Sequence, residues 1–339
     1  RRGFDEFFGF THEGHYFVPE PWEGTTTWLR RKVLPGGGKG IRRFGKVIYS
    51  THLGDEPDYD ANNPIVRGSQ PVREEEYFTD AITRESVDFI DRHADKPFFL
   101  FVSYNAVHSP LQGAESYMRK FAHIEDIHRR IFAAMLANMD DSVGSVLAQL
   151  RKSGIEKDTL VFFLSDNGGP TRELTSSNLP LRGTKGQMYE GALRVPFMVQ
   201  WKGVIPAGKV YGRPVSSLDI FATAAANCAG VAQSRMLEGV DLVPHLTGKK
   251  DGVPHETLYW RQGGKAALRH GDWKIVRMGQ QFFPGNAKWE LYDLSRDIAE
   301  GNDLAASDPE RVTALVRIWK KLDGEMREPA FGGQGSQAR

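Results

Sequence analysis

Apolar positions in this chain gather into a few short dense runs separated by long polar stretches. FFLFVSY (98–104), TLVFFL (159–164) and VPFMVQW (195–201) are almost wholly apolar and rich in β-branched and aromatic types, which predicts strands buried on both faces. Two other segments follow helical spacing. Ile82, Ser86, Phe89 and Ile90 fall on one face of a segment that opens at Thr79 and ends at Lys96–Pro97. Ile131, Met135, Met139, Val143, Val146, Leu147 and Leu150 line one face of a longer helix over about 127–150, closed by Lys152 and Gly154. Strand, helix, strand predicts a parallel crossover, and its two strands should release NAVHSP and SDNGGP at the same edge of one parallel sheet.

The ends of the chain have a different texture. Residues 1–75 are rich in Gly, Pro, aromatics and charge, with VIYS (47–50) the one short strand expected. This suggests loops laid over a core completed elsewhere. Ser217 is expected to cap a helix over about 218–229. After residue 253, TLYW, KAALRH, DWKIVR and WELYDL predict antiparallel ribbons, with tryptophans covering one face. Asp308–Pro309 should open a last helix that turns Val312, Leu315, Val316, Trp319 and Leu322 inward. The expected class is therefore α/β, a mostly parallel sheet flanked by helices. The expected units are residues 1–253, a smaller antiparallel sheet with one helix over 254–328, and a disordered tail over 329–339.

Composition removes several functions. The chain has 339 residues, with 44 Lys and Arg against 43 Asp and Glu, so no global field recruits nucleic acid or an acidic membrane. One cysteine, Cys228, excludes an intrachain disulfide framework and a cysteine-rich zinc site. No apolar run approaches the ~18 residues of a membrane span.

Chemistry gathers where the strands stop. Asp166 and Asn167 offer hard oxygen donors suited to a metal, although the same residues also read as an Asn-Gly turn. His108 can donate to an anion or protonate a leaving oxygen. Lys185 lies between Gly183 and Gly186, where the backbone can come close to a ligand while the ammonium reaches it. An acid, a cation and metal ligands at one sheet edge suit an anionic ester such as a phosphate or sulfate.

The succession GFDEFFGF, FFLFVSYNAVHSP, DDSVG on a helix, FLSDNGG, LRGTKGQMYEGALRVP, SLDIFATAAANCAG, ALRHGDWKIV and ELYDL resembles the formylglycine-dependent sulfatases of the alkaline phosphatase superfamily. The likeness runs from residue 3 to about 325. It implies that Asp166 and Asn167 are the second half of a calcium site, that His108 contacts the sulfate and assists the leaving oxygen, and that Lys185 bridges sulfate and leaving oxygen. It also implies that the region after residue 253 walls a substrate pocket. The family's first metal-binding aspartates and its C/S-x-P-x-R motif, whose Cys or Ser becomes formylglycine, do not precede GFDEFFGF here. They are expected upstream of residue 1.

Three apparent substitutes fail. Ser69–Arg73 (SQPVR) fits the motif literally, but EEEYFTD follows in place of an apolar helix. Asp140 and Asp141 sit within a helix, on its solvated side, and Cys228 lacks a proline two residues on and reads as a small buried thiol.

The resemblance implies a sulfuric ester hydrolase acting on a sulfated small molecule or polysaccharide, exported to the periplasm, the cell surface or the lysosome. The isolated chain is expected to be inactive, because calcium takes about six to eight oxygens and Asp166 with Asn167 gives two or three. Two rival readings stay open, a phosphodiesterase or phosphonate hydrolase of the same superfamily and a non-catalytic glycan- or partner-binding descendant. Residues 12–24 and 171–180 are expected either to line the pocket or to serve only as loop cover.

Overall fold

The computed structural model describes residues 3–11, 14–56, 63–228, 237–279 and 288–327, so the tail over 329–339 lies outside the described residues. The chain divides into two compact units. One holds residues 1–159 with 172–176, and the other residues 160–171 with 177–339.

In the first unit, β1 (Phe8–Gly9), β2 (Thr25–Arg30), β3 (Ile41–Phe44), β4 (Val47–Ser50), β5 (Val66–Arg67) and β6 (Gln70–Pro71) precede α1 (Phe78–His93). They are followed by β7 (Leu111–Ala114), α2 (Glu115–Lys120) and α3 (Ile127–Lys152). The principal sheet has the order β3-β4-β2-β7, with β2 parallel to β4 and antiparallel to β7. β2, TTTWLR, showed no strand signal because its threonines are polar, yet it is buried on both faces. Thr25 and Thr27 bond each other, and Gln112 donates to Thr27, so the hydroxyls are satisfied inside the core. Trp28, Ile48 and Leu111 from the sheet meet Ile131, Phe132 and Met135 of α3.

Asp126 caps α3 by accepting from the amides of His128 and Arg129. By length and composition α3 is long and apolar enough to cross a membrane. In the fold its apolar face packs on α1 and β7, while Asp140 and Asp141 stay exposed and Asp141 accepts from Tyr117 and Lys120. Pro71 of SQPVR lies in the two-residue strand β6, paired with β5, and opens no helix.

The second unit contains β8 (Val161–Leu164), α4 (Glu190–Leu193), β9 (Phe197–Gln200), α5 (Leu218–Asn227), α6 (Val243–Leu246), β10 (Thr257–Gln262), β11 (Lys265–His270), β12 (Trp273–Arg277), β13 (Glu290–Asp293) and α7 (Pro309–Glu325). β10 to β13 form an antiparallel meander, as the sequence implies. Its alternation divides the labour. Ala266, Leu268, Ile275 and Leu291 face Leu315 and Trp319 of α7, while Ala267, Val276 and Tyr292 face Met188 and Tyr189. Asp308 caps α7, with Pro309 at its first position.

The α/β class holds, but the expected parallel crossover is corrected. β8 pairs with β9, and the pairing is antiparallel. Residues 98–104 are extended but join no ladder among the described residues. Their alternation also contradicts burial on both faces. Phe98, Val102 and Tyr104 pack toward α1, while Phe99 and Phe101 are 68% and 67% exposed. A run of apolar residues marks a doubly covered strand only when neighbours cover it, and no described strand flanks this one. Two smaller expectations also change. Ser217 makes no side-chain cap bond; instead Asp219 accepts from the Ser216 amide at 2.7 Å. Cys228, expected to be buried, is exposed at the C-terminal end of α5.

Candidate active site

His108 belongs to the first unit. It follows the extended segment at a turn closed by its own amide on Asn105 O (2.8 Å). Its Nδ1 donates to Ser109 O at 2.8 Å, which sets the orientation of the ring. The next residue anchors the turn. Ser109 Oγ donates to Glu173 at 2.6 Å, Glu173 pairs with Arg30 at 2.9 Å, and Arg30 forks onto the buried Glu56 with two 2.9 Å bonds. This bidentate chain fixes the floor beneath the imidazole. Nothing in the sequence linked Arg30, Glu56 and Glu173, which lie 26 and 143 positions from Arg30.

The other three candidates share the second unit. β8 ends at Leu164; the next residue, Ser165, donates its Oγ to Asn167 O, and Asp166 Oδ1 accepts the Asn167 amide. Asn167 Nδ2 donates to Gly168 O at 3.1 Å, so Oδ1 is the atom it has for a cation. Gly168 N bonds Ala192 O at 3.0 Å, and the backbones come so close that a Cβ on Gly168 would lie 1.8 Å from Gly191 O. Glycine is required here by contact.

The turn and the lysine segment are tied through one carbonyl. Gly169 O accepts from Asn178 Nδ2 (2.9 Å), Thr184 Oγ1 (3.1 Å) and the Lys185 amide (3.4 Å). Asn178 also accepts from Gly169 N and donates to Gly183 O, both at 3.0 Å. Asp166, Asn167 and Lys185 are thus carried by one hydrogen-bonded piece, with Asn178 as its hinge pin. The sequence placed residue 178 only within a pocket-lining stretch.

The lysine segment is in turn pinned to the meander. Lys265 Nζ donates to Gly186 O, Arg182 donates to Tyr292 Oη and Glu300 O (both 2.9 Å), and Tyr189 donates to Glu290. Beneath it lies a buried triad. Lys274 Nζ is 2.8 Å from Glu190 and 2.9 Å from Glu300, and Glu300 accepts the Glu190 amide at 2.6 Å. Burial pushes the Glu300 carboxyl up, against the opposing pull of Lys274.

As a metal site the donors are partial. Asp166 and Asn167 supply a carboxylate and an amide oxygen, which suits calcium in kind, but the described residues contain no group of three or more His, Cys, Asp or Glu placed to hold an ion.

The exposed Asp166 and the half-buried Asn167, just past the end of β8, are thus braced to a lysine-bearing loop in an α/β chain. Comparison with known proteins gives the family. The model described as Sulfatase matches residues 2–231, and that described as N-sulphoglucosamine sulphohydrolase, C-terminal, matches residues 184–328. The chain belongs to the sulfatase family. It is 34% identical to human steryl-sulfatase over 282 residues, 72% of this chain and 47% of that protein. It is 30% identical to human arylsulfatase D over 275 residues, 69% of this chain and 45% of that protein. The chain therefore spans about half the length of the curated relatives it matches. Among solved structures, Ps i-CgsB in complex with k-i-k-neocarrahexaose superposes with a TM-score of 0.77 at 31% identity, over 97% of this chain and 68% of that one.

Proposed function

We propose that the protein carrying this chain hydrolyses a sulfate ester of a carbohydrate with the help of calcium. The observation that carries this reading is the shared carbonyl Gly169 O, which locks the Asp166–Asn167 turn to the backbone of Lys185. The lock sets the backbone that carries Lys185 against the turn whose Asp166 and Asn167 oxygens would hold the cation. Asp166 and Asn167 would hold calcium, whose charge offsets that on the sulfate oxygens. Lys185 stabilises negative charge on the bridging oxygen. His108, with Nδ1 committed to Ser109 O, delivers a proton from Nε2 to the departing alcohol. The nucleophile, a formylglycine, belongs to sequence outside residues 1–339. The carbohydrate class is supported by the neighbour solved with neocarrahexaose. In the same reading residues 1–253 and 254–328 are the catalytic portion and its C-terminal wall, and the whole protein is exported.

The test is to express the full reading frame and assay an aryl sulfate, a sulfated sugar and a phosphate diester side by side. Sulfate ester turnover should be lost with a chelator and should fall about 10²–10⁴-fold in His108→Ala and Lys185→Ala, with melting temperatures unchanged. Undiminished turnover in His108→Ala overturns its role, and a faster phosphate diester reaction overturns the substrate class. Residues 1–339 alone should bind calcium weakly and show no turnover; chelator-sensitive sulfatase activity from them would contradict the half-site assignment.

A further inference from the structure

The stretch Arg30–Lys46, RRKVLPGGGKGIRRFGK, holds seven cations and no Asp or Glu. The whole chain carries net +1, so everything outside these residues sums to −6. The field of the molecule is therefore concentrated on one structural feature. That feature is the outer edge of the β3-β4-β2-β7 sheet, where all four residues of β3 are exposed.

Local carboxylates neutralise only part of it. Arg30 pairs with Glu56 and Glu173, Lys32 with Asp55, and Lys46 with Glu115. Arg31 acts on Asp55 only through its charge, and Lys39, Arg42 and Arg43 form no ion pair among the described residues. The loop is nevertheless ordered. Gly37 N bonds Leu34 O at 2.8 Å, Leu34 N bonds Gly38 O, and Gly40 exchanges bonds with Thr51. Arg42 Nη1 donates to Pro35 O at 2.6 Å, which fixes its guanidinium over the glycine turn, and Arg43 Nε donates to Gly45 O. An aromatic platform accompanies the charge. Arg42 and Phe44 share a face of β3, Tyr49 lies opposite Arg42, and the Phe44 and Tyr49 rings meet edge to face at 6.0 Å with Phe44 51% exposed.

We propose that this basic hairpin is a docking surface for a linear sulfated polysaccharide, whose sulfates meet Arg31, Lys39, Arg42 and Arg43 while a sugar ring rests on Phe44. The proposal rests on the sulfatase reading and narrows its substrate from any sulfated carbohydrate to a polymer. Preordered cations beside an exposed ring suit an anion that repeats along a chain of apolar-faced rings. A small monosulfated substrate needs one sulfate pocket and gains nothing from a row of cations along an edge strand.

The experiment is binding of fluorescent dextran sulfate to residues 1–339, where no turnover interferes, with neutral dextran of the same length and a double-stranded DNA oligonucleotide as separate arms. Dextran sulfate should bind with an affinity that falls as salt rises, and neutral dextran should not bind. The triple variant Lys39→Gln, Arg42→Gln, Arg43→Gln should bind dextran sulfate at least about tenfold more weakly. The double variant Lys320→Gln, Lys321→Gln, on the exposed side of α7, should bind as the parent does. Unchanged binding by the triple variant, with its melting temperature intact, overturns the proposal. DNA binding as tight as that of dextran sulfate also overturns it, in favour of a nucleic-acid surface. If the triple variant loses its fold, Arg42→Lys with Arg43→Lys, which keeps the charge, should restore both fold and binding; a folded lysine variant that does not bind counts against the proposal. Failure of the sulfatase reading shows separately, as absence of sulfate ester turnover in the full-length protein.

Discussion

Lys274 Nζ lies 2.8 Å from Glu190 Oε1, and neither side chain reaches solvent. The lysine comes from the meander and the glutamate from the segment that carries Lys185 five residues earlier, so this ion pair joins the Lys185 segment to the C-terminal sheet. Its energy is a balance. Two buried carboxylates face one ammonium, and removing the ammonium leaves both without their cation in a low-dielectric interior. Lys274→Ala should destabilise the chain by about 3–5 kcal/mol in urea unfolding. A loss below about 1 kcal/mol, the range of surface pairs, would show that the triad is hydrated.

The same triad gives the fold a pH dependence of defined sign. Burial raises the Glu300 carboxyl above its ordinary value of 4.5, so the folded chain holds that proton more tightly than the unfolded chain does. Stability from this group is fully present below 4.5 and is lost as pH rises through the raised folded value. Glu300→Gln keeps the shape and removes the linkage. Unfolding free energy should decline with rising pH above 4.5 more steeply in the parent than in Glu300→Gln. Parallel curves for the two proteins would contradict the linkage.

Gly168 tests contact in place of charge. A Cβ there would sit 1.8 Å from Gly191 O and 2.8 Å from Ala192 Cα, and both obstacles are backbone that no rotamer change can move. Gly168→Ala should cost about 1–3 kcal/mol or more, the range of forced overpacking. Gly144→Ala, at an open position within α3, should be neutral or stabilising by comparison. Equal melting temperatures for the two variants would show that the turn and α4 are not pressed together.

What the sequence revealed divides along the same physical line. α3, α7 and the meander were legible because helical spacing, caps and alternation are local signals, and Asp308 caps α7 where Asp308–Pro309 is expected to open it. β2 was illegible because Thr25 to Thr27 become core residues only through bonds to Gln112, 85 positions from Thr27. The segment 98–104 was read as doubly buried since Phe99 and Phe101 look like core in a one-dimensional string, and only the sheet's extent decides what covers them. For the site, the sequence order singled out His108, Asp166, Asn167 and Lys185, while the groups that brace them stayed hidden. Lys274 is the instructive case. In DWKIVR it reads as an outward charge, yet alternation puts it on the face of Val276, toward Glu190.

Asn178 is the brace whose loss should separate positioning from stability. Its carboxamide makes three bonds, from Gly169 N and to Gly169 O and Gly183 O, and these join the Asp166–Asn167 turn to the loop of Lys185. Asn178→Ala should cost about 1–3 kcal/mol, the penalty for leaving half-buried backbone groups without partners. In hydrogen exchange the Gly169 amide should lose protection, while amides of the β10–β13 meander, to which Asn178 makes no hydrogen bond among the described residues, keep theirs. In the full-length protein the oxygens of Asp166 and Asn167, which would hold the cation, lose one tie to the backbone of the Lys185 segment. Turnover should then fall by on the order of a hundredfold with a smaller change in KM. A KM increase with kcat intact would mean that Asn178 shapes substrate binding alone, and unchanged protection at Gly169 would mean that Thr184 and Lys185 hold the turn without it.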